Sequence, residues 1–254
     1  DNYVPMILNT DERHWAWLDE GLTTFLEGLA VGQGRADFPG NERLRPRAEI
    51  AAAMLENKTT PIMTAADHLP EPWFVHLAYS KPAAALSVLR ESILGHERFD
   101  FALRTFAQRW KFKRPQPADF FRSMADAAGA SLDWFWRSWF FSTGAVDMGL
   151  GVVREYESDA LPSGLHVYTV EIINRGIVMP IPLALTYADG STSELLIPAE
   201  IWRHDSQRAL KRLVTQQRIS ALRLDPRGEL FDADPDDNTW AGAAVKTPIK
   251  QKAR

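Results

Sequence analysis

The hydrophobic periodicity of this chain changes once, near Thr143-Gly144, and this change constrains the fold more than any other feature. Before it, apolar residues recur with the 3.6-residue period of amphipathic helices. After it, apolar and polar residues alternate with the period of two that is typical of strands. We therefore predict an α+β protein with two domains, in which the helices come first and the strands second.

The pattern also predicts the individual elements. Helices are expected at Leu18–Val31, Leu44–Glu56, Lys81–Leu94, Phe99–Trp110, Pro117–Ala128 and Leu132–Phe140. Strands are expected at Leu165–Ile173, Pro182–Tyr187, Ser193–Ile197, Lys211–Val214 and Ala221–Leu224, with a hairpin turn at Ala188–Ser191. These elements predict a helical domain over 1–144, a small antiparallel β-sandwich over 145–232, and a disordered tail over 233–254.

Composition narrows the class of protein. With 254 residues, of which 45% are hydrophobic, we expect a soluble globular protein with room for two domains. A net charge of −4 gives no electrostatic case for nucleic acid or an anionic membrane. No run approaches the roughly 18 apolar residues of a membrane span. Without cysteine, the chain has no disulfides and no thiolate ligands. The compartment and the oligomeric state stay open, and export is expected only if a signal peptide lies upstream.

The run from Trp15 to Glu27 places a carboxylate on an amphipathic helix. Apolar residues at helical spacing form one face of this helix, whereas Glu20 shares another face with Thr24 and Glu27. Glu20 therefore faces something other than the core. A single glutamate of this kind is usually a solvated surface residue.

Three elements around Glu20 resemble the zinc aminopeptidases of the M1 (gluzincin) family. Pro5-Met6-Ile7, Asn9-x-x-Glu12-Arg13 and Trp17-Leu18-Asp19-Glu20-Gly21 occur in this order, as in the family segment that follows its zinc-binding helix. In that family a His-Glu-x-x-His helix provides two imidazole ligands and a general base, and a Glu nineteen positions past the second His completes the site. The resemblance implies that Glu20 binds zinc and also lies close to the ammonium of a bound substrate.

The zinc site implied by this resemblance is incomplete in the chain. Nineteen positions before Glu20 stands Asp1, where the family has its second histidine. The chain contains no His-Glu-x-x-His sequence, and no two of its six histidines are four positions apart. We interpret Asp1 either as a true replacement or as an effect of where the sequence begins. Asp19 is a candidate hydrogen-bond partner for a metal-bound histidine.

A second segment, Ala78 to Leu86, resembles the tyrosine motif of the same family, which is Tyr-x-Lys followed by Gly or Pro and a helix. Pro82 suits the first helical turn, where its missing N–H is no loss. In the family, the tyrosine hydroxyl hydrogen-bonds the carbonyl oxygen as negative charge builds on it. The resemblance implies that Tyr79 is this catalytic donor. For Lys81 we expect a surface position, with its methylene stem covering the helix.

The resemblance implies an activity for the parent protein. The chain would be the carboxyl-terminal part of a thermolysin-like catalytic domain plus the following β-sandwich. Its parent would be a Zn²⁺-dependent aminopeptidase that removes amino-terminal residues from peptides by metal-activated water, and this chain alone would be inactive. Two alternatives stay open. One is a non-catalytic relative that binds peptides, with Asp1 as a genuine loss. The other is a scaffold whose β domain binds a partner.

Overall fold

The computed structural model describes residues 4–34, 47–158 and 161–248. They divide into two compact units. The first contains the described residues up to Ala145 together with Glu229–Ala233. The second contains Val146–Gly228 and the described residues from Asp234 onwards. The first unit is mainly helical and the second is built from strands, which confirms the predicted α+β fold.

Helices make up most of the first unit. Its described α-helices are α1 (Val4–Leu8), α2 (Leu22–Gly34), α3 (Arg47–Glu56), α4 (Lys81–Val88), α5 (His96–Trp110), α6 (Pro117–Ala128) and α7 (Asp133–Trp139). Three π-helical turns adjoin α2 and α4: a first π turn (Trp17–Gly21), a second π turn (His76–Ser80) and a third (Leu89–Leu94). The sequence pattern predicted helices over much of these stretches but not their π-helical geometry, because one widened turn barely alters the apolar period.

Local sequence signals explain where α6 begins and ends. Gln116 precedes Pro117, and the backbone N–H of Gln116 donates to the Asp119 carboxylate at 2.9 Å in a capping box. Pro117 occupies the first turn, where no N–H is needed. Gly129 follows the last turn with φ of 60°, a left-handed conformation that glycine adopts without a steric cost.

An aromatic cluster forms the core around the first π turn. The Trp17 ring is 1% exposed, and its centroid lies 4.7 Å from that of Phe140, 5.6 Å from Phe121 and 5.8 Å from Phe120. Trp136 stacks on Phe121 at 4.7 Å. Edge-to-face and offset aromatic pairs add about 0.5–1.5 kcal/mol each beyond the area they bury. The cluster therefore fixes the first π turn against α6 and α7.

The first π turn also makes a very close contact with the start of α4. A Cβ added to Gly21 would lie 2.6 Å from Pro82 Cγ, 2.8 Å from Pro82 Cβ and 3.1 Å from the Ala78 carbonyl oxygen. Only a residue without a side chain allows this approach. Gly21 thus sets the distance between the first and second π turns.

Two four-stranded sheets make up the second unit. Its strands are β1 (Met148–Glu157), β2 (His166–Asn174), β3 (Ile181–Tyr187), β4 (Thr192–Ile197), β5 (Arg208–Thr215), β6 (Ile219–Leu224), β7 (Thr239–Ala241) and β8 (Val245–Pro248). One sheet has the order β5-β2-β1-β8 and the other β4-β3-β6-β7. The pairs are antiparallel except β1 with β8, which is parallel. All five predicted strands are present.

The strand β1 was not predicted from the sequence. Gly149 and Gly151 interrupt its alternation, and the pairing with β2 shifts register between Leu150 and Val153. Glycine and a bulge both weaken the period-two signal. The charged Glu155 is in addition buried, which no alternation pattern indicates.

The described part of the predicted tail carries the two strands β7 and β8. Lys246 on β8 contacts the Glu155 carboxylate on β1 at 2.6 Å. Burial of Glu155 opposes its charge, yet hydrogen bonds from Lys246, His166 and Arg218 lower its pKa to about 2. This buried ion network attaches β8 to the sheet and accounts for the ordered strand where disorder was expected. Across the described ranges, no helix has the length and apolar character that crossing a bilayer requires.

The contact at Gly21 leads to a prediction about stability. Gly21→Ala should lower the free energy of unfolding by about 1–3 kcal/mol, because the new methyl group overlaps the Pro82 ring. Urea unfolding of this chain measures the change. In a Pro82→Gly background both nearest atoms are gone, so the same substitution should cost less. An equal cost in both backgrounds would contradict the proposed overlap.

Candidate active site

The first and second π turns bring Glu20 and Tyr79 together. The two turns pack against one another, and the Glu20 carboxylate lies close enough to the Tyr79 phenol to raise its pKa. Both side chains are partly exposed, so the pair lies at a surface accessible to solvent rather than in a closed core. The two residues that the sequence motifs singled out, 59 positions apart, therefore form one site.

The local backbone explains how the first π turn presents Glu20. A π-helical turn contains more residues per turn than an α-helix and alters the regular pattern of carbonyl bonding. Here the Thr24 hydroxyl donates to the Glu20 carbonyl oxygen at 2.7 Å. This bond gives the Glu20 carbonyl oxygen a hydrogen-bond donor, while the Glu20 side chain lies on the side of Tyr79.

The environment keeps the Tyr79 phenol protonated. Burial, the hydrogen bond with Glu20 and the nearby negative charges of Glu20, Asp19 and Glu12 raise the pKa of Tyr79 to about 12. The phenol is therefore a neutral hydrogen-bond donor throughout the physiological pH range. A group of this kind can stabilise a developing oxyanion without being ionised first.

The neighbouring carboxylate of Asp19 is buried and bonded within the chain. It is 4% exposed and accepts a hydrogen bond from the Thr10 hydroxyl at 2.7 Å. Burial raises the pKa of Asp19, with a further contribution from the charge of Glu12, against the lowering effect of the Thr10 bond. In the structure, Asp19 is therefore bonded to Thr10. The sequence analysis had considered it as a hydrogen-bond partner for a metal-bound histidine.

The expected surface position of Lys81 is wrong. Lys81 is 1% exposed, and its ammonium donates to the carbonyl oxygens of Ser142 and Gly144, both at 3.4 Å. Burial lowers the pKa of Lys81 to about 8. The apolar stem suggested a helix surface, but α4 is buried along its whole length.

An aromatic side chain that the motifs did not indicate lies beside the phenol. The Phe74 ring centroid is 6.4 Å from that of Tyr79, and Phe74 is 37% exposed. The adjacent Val75 is 45% exposed. Phe74 and Val75 belong to a short apolar run before Tyr79. From sequence alone such a run is expected in the core, so their exposure was not predictable.

The described residues do not contain a complete metal site. Within residues 4–34, 47–158 and 161–248, no group of three His, Asp or Glu side chains could hold a metal ion. His14 is largely exposed and interacts with Asp11 at 3.1 Å. Asp1, the residue at the position of the second family histidine, lies outside the described residues.

A separate cavity lies on the apolar face of α2. It has a volume of about 450 Å³ and is lined by residues of α1, α2 and the end of α5, including Leu22, Leu26 and Phe106. Neither Glu20 nor Tyr79 lines it. The candidate site and this cavity are therefore distinct features of the helical unit.

The motifs and their geometry agree with a comparison against protein families. The sequence model of the Peptidase family M1 domain matches residues 10–139, which is about half of the chain and includes both Glu20 and Tyr79. This chain belongs to peptidase family M1. The predicted family resemblance is confirmed. No curated protein matches the chain.

The chain is also similar in fold to a solved aminopeptidase structure. The crystal structure of Legionella pneumophila aminopeptidase A in complex with aspartic acid matches with a TM-score of 0.52 and 16% sequence identity. The match covers 93% of this chain but 24% of the Legionella chain. At this identity the likeness shows the fold, and the chain spans about a quarter of the length of that protein.

The burial of Lys81 predicts a pH dependence of stability. Its pKa is about 8 in the folded chain and 10.5 in the reference state, so between these values the unfolded chain binds more protons. The free energy of unfolding should therefore gain on the order of 3 kcal/mol from Lys81 as the pH rises from 8 to 10.5. Urea unfolding at several pH values measures this gain relative to a Lys81→Met variant. Parallel profiles of the two chains would contradict it.

Proposed function

We propose that this chain is part of a zinc aminopeptidase of family M1, in which Glu20 is a zinc ligand and Tyr79 is the catalytic hydrogen-bond donor. The observation that carries the proposal is the proximity of these two side chains, which sit on π turns that pack against one another. An aminopeptidase site needs a metal ligand and an oxyanion donor next to one another. Family membership and the M1-like fold support the same proposal.

The donor chemistry of Glu20 fits a zinc ion. Carboxylate oxygens are common zinc ligands, and Glu20 is partly exposed with its carboxylate at the site. Because the described residues supply no further ligand cluster, the remaining ligands and the general base would come from a His-Glu-x-x-His segment upstream of this chain. When bound, zinc supplies Lewis-acid polarisation of a carbonyl and lowers the pKa of water.

The proposed task of Tyr79 follows from its protonation. During peptide hydrolysis, negative charge develops on the oxygen of the scissile carbonyl, and a neutral donor at that position lowers the barrier. The pKa of about 12 means that the Tyr79 hydroxyl keeps its proton and donates it in a hydrogen bond.

The negative charge around the site fits a free amino terminus. Glu20, Asp19 and Glu12 all act on Tyr79 electrostatically, so the phenol lies in a field of negative charge. A substrate ammonium is attracted by such a field, and Glu20 is the carboxylate closest to the reacting bond in the proposed arrangement. We therefore propose peptides with a free amino terminus as the substrate class. This chain alone should not hydrolyse them, because it carries only part of the proposed site.

Substitution of Glu20 tests the metal assignment. In the full-length protein, Glu20→Ala should lower both the zinc content and the rate of hydrolysis of aminoacyl amides, each by more than about tenfold. Elemental analysis and a fluorogenic assay measure the two effects. Glu27→Ala, at an exposed position of the adjoining helix α2, serves as the control and should change neither. Full zinc occupancy in Glu20→Ala would exclude Glu20 as a ligand.

Substitution of Tyr79 tests the donor assignment. Tyr79→Phe should lower kcat by about 10²–10³, because the bond is made mainly in the transition state, while KM and zinc content stay nearly unchanged. Tyr187→Phe is the matched control, since Tyr187 hydrogen-bonds Ser193 on an exposed hairpin. An unaltered kcat in Tyr79→Phe would remove Tyr79 from the reaction. A full-length protein that binds peptides without hydrolysing them would instead support the non-catalytic alternative.

A further inference from the structure

The ammonium of Lys81 is buried, and none of the described residues offers it an anionic partner. Lys81 is 1% exposed and is among the largest fully buried side chains of the described residues. Its only hydrogen bonds in this part of the chain go to the carbonyl oxygens of Ser142 and Gly144, each at 3.4 Å. Burying a charge with two long hydrogen bonds is unfavourable, and an apolar side chain of similar length would pack at less cost. Stability alone therefore does not account for a lysine at this position.

The two carbonyl oxygens belong to a segment that is itself well fixed. The Ser142 hydroxyl donates to the Ser138 carbonyl oxygen at 2.5 Å and accepts from the Gly144 N–H at 3.2 Å. The Met63 N–H donates to the carbonyl oxygen of Phe140 at 2.9 Å. Lys81 thus reaches a rigid anchor after α7.

The other end of this connection is the catalytic tyrosine. Lys81 is the first residue of α4, and the second π turn, which contains Tyr79, ends directly before it. A side chain fixed at Lys81 therefore restrains the backbone two residues from Tyr79.

We propose that Lys81 is a positioning residue, whose buried ammonium ties the start of α4 to the Ser142 and Gly144 carbonyl oxygens and thereby holds the Tyr79 hydroxyl beside Glu20. This role rests on the proposed function of Tyr79. It deepens that function by naming the group that sets the position of the donor. A misplacement of about 1 Å at a reacting centre can cost up to about 10²-fold in rate.

A double-mutant cycle in the full-length protein tests the proposal. Lys81→Met should lower kcat by about 10- to 100-fold, with KM and zinc content nearly unchanged, because the donor acts mainly in the transition state. In a Tyr79→Phe background the same substitution should change kcat by less than about twofold. Lys111→Met removes one charge from an exposed position and should leave kcat unchanged. An equal loss in both backgrounds, or no loss from Lys81→Met, overturns the proposal.

Hydrogen exchange of this chain separates failure of the anchor from failure of the proposed function. Amides of residues 76–80 should exchange faster in Lys81→Met than in the unsubstituted chain, while the urea midpoint at pH 7 does not fall. Unchanged exchange, or a fall in global stability that accounts for it, overturns the anchor. If Tyr79→Phe leaves kcat unaltered, the proposed function of Tyr79 fails, and this exchange measurement alone still decides whether Lys81 restrains the second π turn.

Discussion

The candidate site depends on one close contact between two pieces of backbone. Gly21 lets the first π turn approach the start of α4 to a distance at which any Cβ would overlap the Pro82 ring. The aromatic cluster around Trp17 holds one side of this contact, and the buried helix α4 holds the other. Because Glu20 precedes Gly21 and Tyr79 lies three residues before Pro82, the contact brings the carboxylate close enough to the phenol to raise its pKa.

Much of the fold follows from periodicity, because amphipathic helices and half-buried strands repeat with different periods. The helices after Phe99 and the five predicted strands were recognisable for this reason. The strand β1 was not, since its two glycines and its bulge disrupt alternation. The strands β7 and β8 were also missed, because a short basic segment is attached by an ion network whose other members are far away in sequence.

The site shows a similar division between what sequence can and cannot predict. Short motifs were enough to single out Glu20 and Tyr79, but the π turns that bring them together leave no clear periodic signal. The sequence pattern also did not indicate which charged side chains are buried. Glu155 is buried beside the cations Lys246 and Arg218 and bonded to His166, which explains it as part of the framework of a sheet. Lys81 is buried against two carbonyl oxygens, and this contrast is the reason to connect it with the neighbouring tyrosine.

In the proposed site, the Glu20 carboxylate and the Tyr79 hydroxyl face one zinc ion. Anomalous diffraction at the zinc edge from crystals of the full-length protein tests this directly. The account predicts a zinc peak about 2.0–2.2 Å from a Glu20 oxygen, with the Tyr79 hydroxyl pointing into the same site. A zinc peak remote from Glu20, with the carboxylate still bonded to Tyr79 alone, would contradict it.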